Sequence, residues 1–368
     1  MRNPIRFIDL KQRFLDEKIE ILSAVEKVCT AGHFVLTEEV EILEKHLASY
    51  IGVKHVVGVN SGTDALMIAL WAYGIGKGDE VITSPISFVA TVGSICHVGA
   101  RPVFVDVASN QNIDVNLIEE AITEKTKAIL PVHWGGRVAN MPRIMEIARK
   151  RNLVVIEDAA QAMGAYYDGI HGGAFGHASC FSAHPLKNLS ALGDSGFLCT
   201  DNDEIANKTR LYRSHGLESR DNCLFFGVNS RLDSLNAEVL KYRLTRLNDI
   251  VKKRRRNVEL YREHLDSPYV FLPPEDPNEY HAYVMFIVQA DDRDSLQTYL
   301  EQQGIESYIY YGTPLHLQPA SQQLGYRNGQ FPVAELQCSK VLALPHHQYL
   351  SEKEIIRVCQ AVNSFYST

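Results

Sequence analysis

Short runs rich in valine and isoleucine alternate with stretches of helical period through most of the first 200 residues. Ile19, Ile21, Leu22, Val25 and Val28 stand near helical spacing and predict a first helix with an apolar stripe. The run from Gly32 to Leu36 breaks it. Thr37 can cap a second helix, Glu38, Glu39 and Glu41 suit its positive end, and Val40, Leu43 and Leu47 form its buried face. Strands are then predicted at Val56–Val59, Glu80–Thr83, Pro102–Val105, Lys127–Val132, Leu153–Ile156, Ala178–Ser182 and Phe197–Thr200. Helices fall between most of them, ending near Tyr73, His97 and Lys150, and one more starts at Asp203. Strands of this composition, separated by helices of about 10–15 residues, predict an α/β fold with a mostly parallel sheet covered on both faces.

Beyond residue 216 the pattern changes. Residues 216–233 are polar and irregular. Leu235, Val239, Leu240, Leu244, Leu247 and Val251 share one face of a long helix predicted from Ser234 to Leu265. The basic run Lys252–Arg256 lies on this helix. One turn spreads five residues round every face, so it reads as a solvated or interface surface and not as a nucleic-acid arm. After a proline-rich loop at 273–277, a strand at Ala282–Gln289, a helix at Arg293–Gln303, a strand-like Ser307–Tyr311 and a helix from Glu352 predict a small α+β unit. The boundary is placed within the long helix: a large domain at 1–245 and a small one at 246–368.

At 368 residues, 45% hydrophobic and 22% charged, the chain has the make-up of an ordinary globular protein, and its net charge of −7 disfavours nucleic acid as the main partner. No apolar run approaches the roughly 18 residues that cross a bilayer, and the N-terminus lacks the apolar core of a secretion signal. Seven cysteines without a C-x-x-C pair read as reduced thiols, and the expected address is the cytoplasm.

Parallel α/β sheets hold ligands beyond the carboxyl ends of their strands, and several residues fall there. Lys187 follows the Ala178–Ser182 run through a turn-forming His184-Pro185. A lysine held in an apolar loop between two strands loses hydration, its pKa falls, and its amine becomes a nucleophile fit for a Schiff base with a carbonyl. Ser61-Gly62-Thr63 stands where the first strand meets its helix, and suits either a phosphate or simply a helix cap. Asp158 and Gln161 follow the fifth strand; an acid there can hold a pyridine nitrogen protonated, or can cap a helix. Phe88 can lie against a flat ring or pack in the core, and Ser182 can add a hydroxyl to the phosphate site. Gly74-Ile75-Gly76-Lys77-Gly78 leads into a strand and so is not a nucleotide loop. His133, His346 and His347 lack the partners and spacing of a metal site, and Ser182 lacks the context of a hydrolase nucleophile.

Together these stretches resemble the DegT/DnrJ/EryC1/StrS family of sugar aminotransferases, of the fold-type I pyridoxal-phosphate class. The resemblance runs through Phe7-Ile8-Asp9-Leu10, Asn60 to Leu66, Ser87-Phe88-Val89-Ala90-Thr91, Gly99 to Asp106, Glu157-Asp158-Ala159-Ala160-Gln161, Phe181 to Asn188, Gly227 to Arg231 and Pro314-Leu315-His316. It implies that Lys187 carries pyridoxal phosphate, that Asp158 meets the pyridine nitrogen and Gln161 the ring hydroxyl oxygen, and that Phe88 stacks on the ring. Gly62, Thr63 and Ser182 would bind the phosphate, and Asn229 would reach the phosphate in a neighbouring subunit, giving a homodimer with shared sites. Arg231, Tyr308, Tyr310 and His316 would be substrate contacts. The implied reaction moves an amino group from L-glutamate to a keto-sugar, nucleotide-linked, for a surface polysaccharide or a glycosylated metabolite. Two alternatives stand beside it: a free keto-sugar such as an octulosonic acid, or a non-catalytic regulator that keeps the cofactor. Two stretches depart from the commoner family pattern, Gly193-Asp194-Ser195-Gly196 and Trp134-Gly135-Gly136-Arg137. A branch with histidine in place of the lysine acts as a dehydratase; retention of Lys187 favours transamination.

Overall fold

A computed structural model describes residues 4–367. Seven strands form the main sheet: β1 (His55–Val59), β2 (Glu80–Thr83), β3 (Arg101–Phe104), β4 (Thr126–Leu130), β5 (Val154–Asp158), β6 (Ala178–Ser182) and β7 (Gly196–Thr200), in the order β1-β7-β6-β5-β4-β2-β3. All neighbours run parallel except β7, which is antiparallel to both β1 and β6. The expected strands are all present within a residue or two, because valine and isoleucine in short runs satisfy a strand buried on both faces.

Helices α1 (Leu10–Ala31), α2 (Glu38–Ile51), α3 (Gly62–Ala72), α4 (Val89–His97), α5 (Met141–Arg151), α6 (Asp203–Tyr212) and α7 (Ser234–His264) surround this sheet. The strands alternate their side chains between two cores. Ile129, Val155, Phe197 and Cys199 face a core with α2, α5 and α7. Their neighbours Ala128, Leu130, Ile156 and Leu198 face another with α3. This period of two is what a doubly covered sheet requires.

Two readings of helix faces need correction. On α1 the buried positions are Arg13, Glu17, Ile21, Ala24 and Val28, while Ile19 and Leu22 are 79% and 52% exposed. The inner face is ionic because Glu17 pairs with Arg243 of α7 at 2.7 Å. On α7, Lys252, Lys253 and Arg256 are solvated as expected, but Arg254 is buried. Its guanidinium donates to the carbonyls of Tyr283, Val284 and His346.

α7 passes from one core to the other: Leu247 and Val251 pack with the sheet, Val258 and Tyr261 with a second cluster. That cluster covers a three-stranded antiparallel sheet of β8 (Val270–Phe271), β9 (Phe286–Ala290) and β10 (Val341–Leu344), flanked by α8 (Arg293–Gln302), α9 (Pro332–Lys340) and α10 (Glu352–Ser367). Ile5, counted above with the large unit, packs in this second cluster and bridges to Ile305. The strand expected from Ala282 begins only at Phe286. Ala282 and Val284 instead donate their N–H groups to Gly136 and Gly135 of the large unit, at 2.9 Å each. Ser307–Tyr311 is not a strand; it makes a single bridge, Tyr308 to Ala343. Among the described residues, no helix is long and apolar enough to cross a membrane.

Candidate active site

Gly62, Thr63, Asp158, Gln161, Ser182 and Lys187 stand at the rim formed by the ends of β1, β5 and β6. Residues 183–195 leave β6 and return as β7. This loop is closed at its base, where Ala183 N donates to Ser195 O and Ala191 N to Ala183 O, each at 2.7 Å. It is braced from below. Arg13 donates to Pro185 O and, at 2.6 Å, to Ser190 Oγ; Arg243 donates to Ser190 O at 2.6 Å and to Ala191 O. Lys187 sits at the centre of the braced loop. Loss of hydration pulls its ammonium down to about 8, and only the attraction of Asp158 opposes this.

Asp158 ends β5. Its Oδ2 accepts from Thr91 Oγ1 at 2.7 Å and its Oδ1 from Ala160 N at 3.2 Å. Burial holds this carboxyl above the ordinary range, against the pull of Thr91, Ala160, Lys187 and His133. Gln161 lies one turn on, and its Oε1 accepts from Gly135 N at 2.7 Å. That bond fixes the amide orientation and leaves the NH2 group as the outward donor.

At the mouth of β1, Ser61 caps α3 by accepting from Asp64 N at 3.0 Å. Gly62 and Thr63 open the helix, where backbone N–H groups have no intrahelical partner. Two glycines keep this mouth open. A Cβ on Gly62 would stand 2.9 Å from Ser182 Cβ, and one on Gly196 would stand 2.4 Å from Ser61 C and 2.5 Å from Gly62 N. The cradle of free N–H groups and the Ser182 hydroxyl therefore fits a phosphate, with no room for larger side chains in its wall. Phe88 is 51% exposed at the start of α4, its ring 6.0 Å from that of Tyr311.

The remaining expected residues divide. Asn229 is exposed, and its Oδ1 accepts from Arg231 Nε at 2.9 Å. The adjacent Ser230 is tied to the α3 mouth through Asp64 and Asn60 N. Tyr308 and Tyr310 stack on each other against Phe7. His316 is not brought to the rim. It is fully buried between Phe104 and Phe331, and its Nε2 meets Glu335 at 2.9 Å.

Residues 15–363 match the DegT/DnrJ/EryC1/StrS aminotransferase family. The chain belongs to that family. Among curated proteins it is 41% identical to the "Pleiotropic regulatory protein" of Geobacillus stearothermophilus, with 98% of each chain covered. It is 40% identical to the dTDP-3-amino-3,6-dideoxy-alpha-D-galactopyranose transaminase of Aneurinibacillus thermoaerophilus, covering 98% of this chain and 99% of that one. Among solved structures, DesV of S. venezuelae superposes with a TM-score of 0.97 at 36% identity over 100% of both chains. The fold is that of the fold-type I pyridoxal-phosphate-dependent transferases, as expected.

Within this family frame, several residues at the rim gave no sign of themselves in the sequence. Thr91 was seen only as part of a motif, yet it holds Asp158. Tyr311 lies between Trp134 and Phe88; burial, and then Tyr310 and Asp158, push its phenol up to about 12. Beneath the rim, Glu157 is buried and accepts from the N–H groups of Gly173, Phe175 and Gly176 and from His133 Nε2. His133 Nδ1 accepts from Ala139 N, which assigns the ring proton to Nε2. Only the placement of Glu157 next to Asp158 could have hinted at this support.

Proposed function

We propose that the chain is a pyridoxal-phosphate-dependent aminotransferase that moves an amino group from L-glutamate to a nucleotide-linked keto-sugar. The observation that carries this reading is the pairing of one amine and one carboxyl across a single rim: Lys187, with its pKa drawn down to about 8, and Asp158, the charge that acts on it. The glycine-walled cradle at Gly62, Thr63 and Ser182 fits the cofactor's phosphate, Gln161 has an amide donor free for a ring oxygen, and Phe88 offers an exposed face to a flat ring.

Pyridoxal phosphate, when bound, supplies an electron sink for the carbanion left as a Cα–H bond breaks. The protein's own groups do the rest. Asp158 holds a proton at the ring nitrogen, and Thr91 and Ala160 hold Asp158. Lys187 Nζ would take the α-proton from the amino donor as general base and give it back as general acid, acting on the same face of the bound donor. An amine near pKa 8 suits both roles at neutral pH. Arg231, Tyr308 and Tyr310 are the proposed sugar contacts; burial of His316 argues for a supporting role instead.

A homodimer with shared sites is part of the proposal. Leu224, Phe226 and Val228 are 52%, 96% and 40% exposed on the segment that ends at Asn229. Apolar side chains presented so openly beside the site favour cover by a second copy. The nucleotide is supported by the A. thermoaerophilus relative, whose name is that of a dTDP-sugar transaminase. The name of the G. stearothermophilus relative favours a second reading, a cofactor-binding regulator without turnover.

The test is a panel of nucleotide-linked and free keto-sugars with glutamate, followed as separate half-reactions by cofactor absorbance. Lys187→Ala is expected to abolish both. Turnover of free sugars alone would replace the nucleotide-linked substrate, and colour without any turnover would favour the regulator. Mixing inactive Lys187→Ala with an Asn229→Ala variant should restore partial activity if sites are shared.

A further inference from the structure

Behind the rim, on the far side of the Trp134–Gly135 turn that supports Gln161, a cavity opens between the large unit and the small one. It encloses about 390 Å³ including its open mouth, of which about 30 Å³ can hold atom centres, space for one compact ion. The turn at Trp134–Arg137 and residues 110–111 form one wall; Arg262, Leu272–Pro273 and His281–Ile287 form the other.

The buried side-chain groups of this lining that lack a partner are donors. Gln111 and Trp134 are each 3% exposed, and neither Gln111 Nε2 nor Trp134 Nε1 has a hydrogen-bond partner. His281 Nδ1 accepts from Tyr283 N at 2.9 Å, so its proton is on Nε2, which stands 4.0 Å from a Cβ built on Gly135 and so faces the same space. Asn110 Oδ1 is taken by Asn112 N, leaving its NH2 group. Two guanidinium groups complete the set. Arg137 is anchored to Pro274 O and shares its charge with Glu279 at 3.4 Å. Arg262 is anchored to Pro273 O, and among the described residues no carboxylate lies within 4.0 Å of it. No acidic side chain lines the cavity. Burial depresses the pKa of His281, and Arg137, Arg255, His346 and Arg262 depress it further, so the field there is positive.

Buried N–H groups without acceptors are costly, and two cations beside them make the deficit one of negative charge. We propose that this cavity binds a compact oxyanion, a carboxylate or an inorganic phosphate, between Arg137, Arg262, Gln111, Trp134 and His281. A water molecule would satisfy the orphaned donors alone; an oxyanion would satisfy them and also answer the positive field that Arg137 and Arg262 set up beside them. The site shares no side chain with the proposed cofactor cradle and does not depend on the aminotransferase reading.

The test uses the protein loaded with pyridoxal phosphate, so that the rim's own phosphate cradle is filled. Calorimetric titrations with inorganic phosphate and with acetate, each against chloride at equal ionic strength, identify which oxyanion fits. Saturable binding is expected for one of them, weakened about tenfold or more in Arg262→Gln and in Gln111→Leu, since each removes a hydrogen bond to a charged ligand. Arg262 is exposed, so that variant keeps its fold. Binding that is absent in the parent protein, reproduced by chloride, or unchanged in both variants would overturn the proposal. The amino-transfer half-reactions, measured separately, bear only on the function proposed above.

Discussion

Thr91→Val isolates what holds Asp158 in its ionised form. Valine keeps the shape of threonine and removes the hydroxyl that donates to Asp158 Oδ2 at 2.7 Å. The other bond to this carboxylate, from Ala160 N, is longer at 3.2 Å and remains. Ser87, 2.6 Å from Thr91 Oγ1, loses its acceptor in the same variant. A hydrogen bond to a buried charged group contributes about 1.5–3 kcal/mol. One pKa unit corresponds to about 1.4 kcal/mol, so the loss should move the carboxyl's titration up by about 1–2 pH units. Asp158 already stands above the ordinary carboxyl range because it is buried, so the change adds to an existing upward displacement. The sign follows directly: an acid that must be ionised fails as pH falls through its pKa, and a higher pKa means earlier failure. The assay is the single-turnover half-reaction with glutamate from pH 5 to 9. The acid limb of the rate profile should move up by about 1–2 units, with the rate at high pH recovering towards that of the parent. An unmoved limb, or a uniform loss at every pH, would show that Thr91 only packs and that Asp158 does not act as an ionised partner.

Three further outcomes follow from the same geometry. In the protein stripped of cofactor, reductive alkylation of Lys187 should gain rate with pH through a midpoint near 8, because the neutral amine is the nucleophile; a midpoint near that of an ordinary lysine would refute its desolvation. Gly196→Ala should weaken cofactor binding and lower the melting temperature together, since its Cβ would meet Ser61 and Gly62 backbone at 2.4–2.5 Å; an unaltered cofactor dissociation constant would mean the α3 mouth is not the phosphate cradle. Arg243→Met leaves buried Glu17 only the more distant guanidinium of Arg246, at 3.8 Å, and frees the carbonyls of Ser190 and Ala191. Breaking a buried pair from one side costs about 3–5 kcal/mol, to be read from urea unfolding, and a loss below about 1 kcal/mol would show that the brace under the lysine loop is dispensable.

The large unit was legible because its signals are local. A run such as Val154 to Ile156 can be satisfied as a buried strand and as little else, and Thr37 and Ser61 stand at helix starts with residues that suit a first turn. The small unit was less so. Val341–Leu344 is four apolar residues without alternation, a run that periodicity cannot assign to strand or helix, and β9 starts late because the residues before it are committed to Gly135 and Gly136. The faces of α1 misled for a different reason: apolar periodicity assumes a greasy interior, and here Arg13 and Glu17 go inside because Arg243 and the loop carbonyls meet them. The motif residues at the rim could be picked out, but their supports could not. Thr91 on Asp158, Gly135 on Gln161 and Tyr311 between Trp134 and Phe88 are meetings between distant segments, and nothing in a side chain's own neighbourhood announces them.

The one reversed strand, β7, has a consequence for how the lysine is mounted. A parallel partner would have required the chain to travel back across the sheet through a crossover before pairing again. Running antiparallel, β7 lets the chain leave β6 and re-enter the sheet at the same end of the strands after thirteen residues, 183 to 195, so the lysine hangs on a short tether clamped at both feet. The tether's far foot, Gly196, is also the neighbour of Val59, the last residue of β1. The anchor of the amine and the anchor of the phosphate site are thus one piece of backbone, and inserting or deleting a single residue in that tether would put the two out of step with each other.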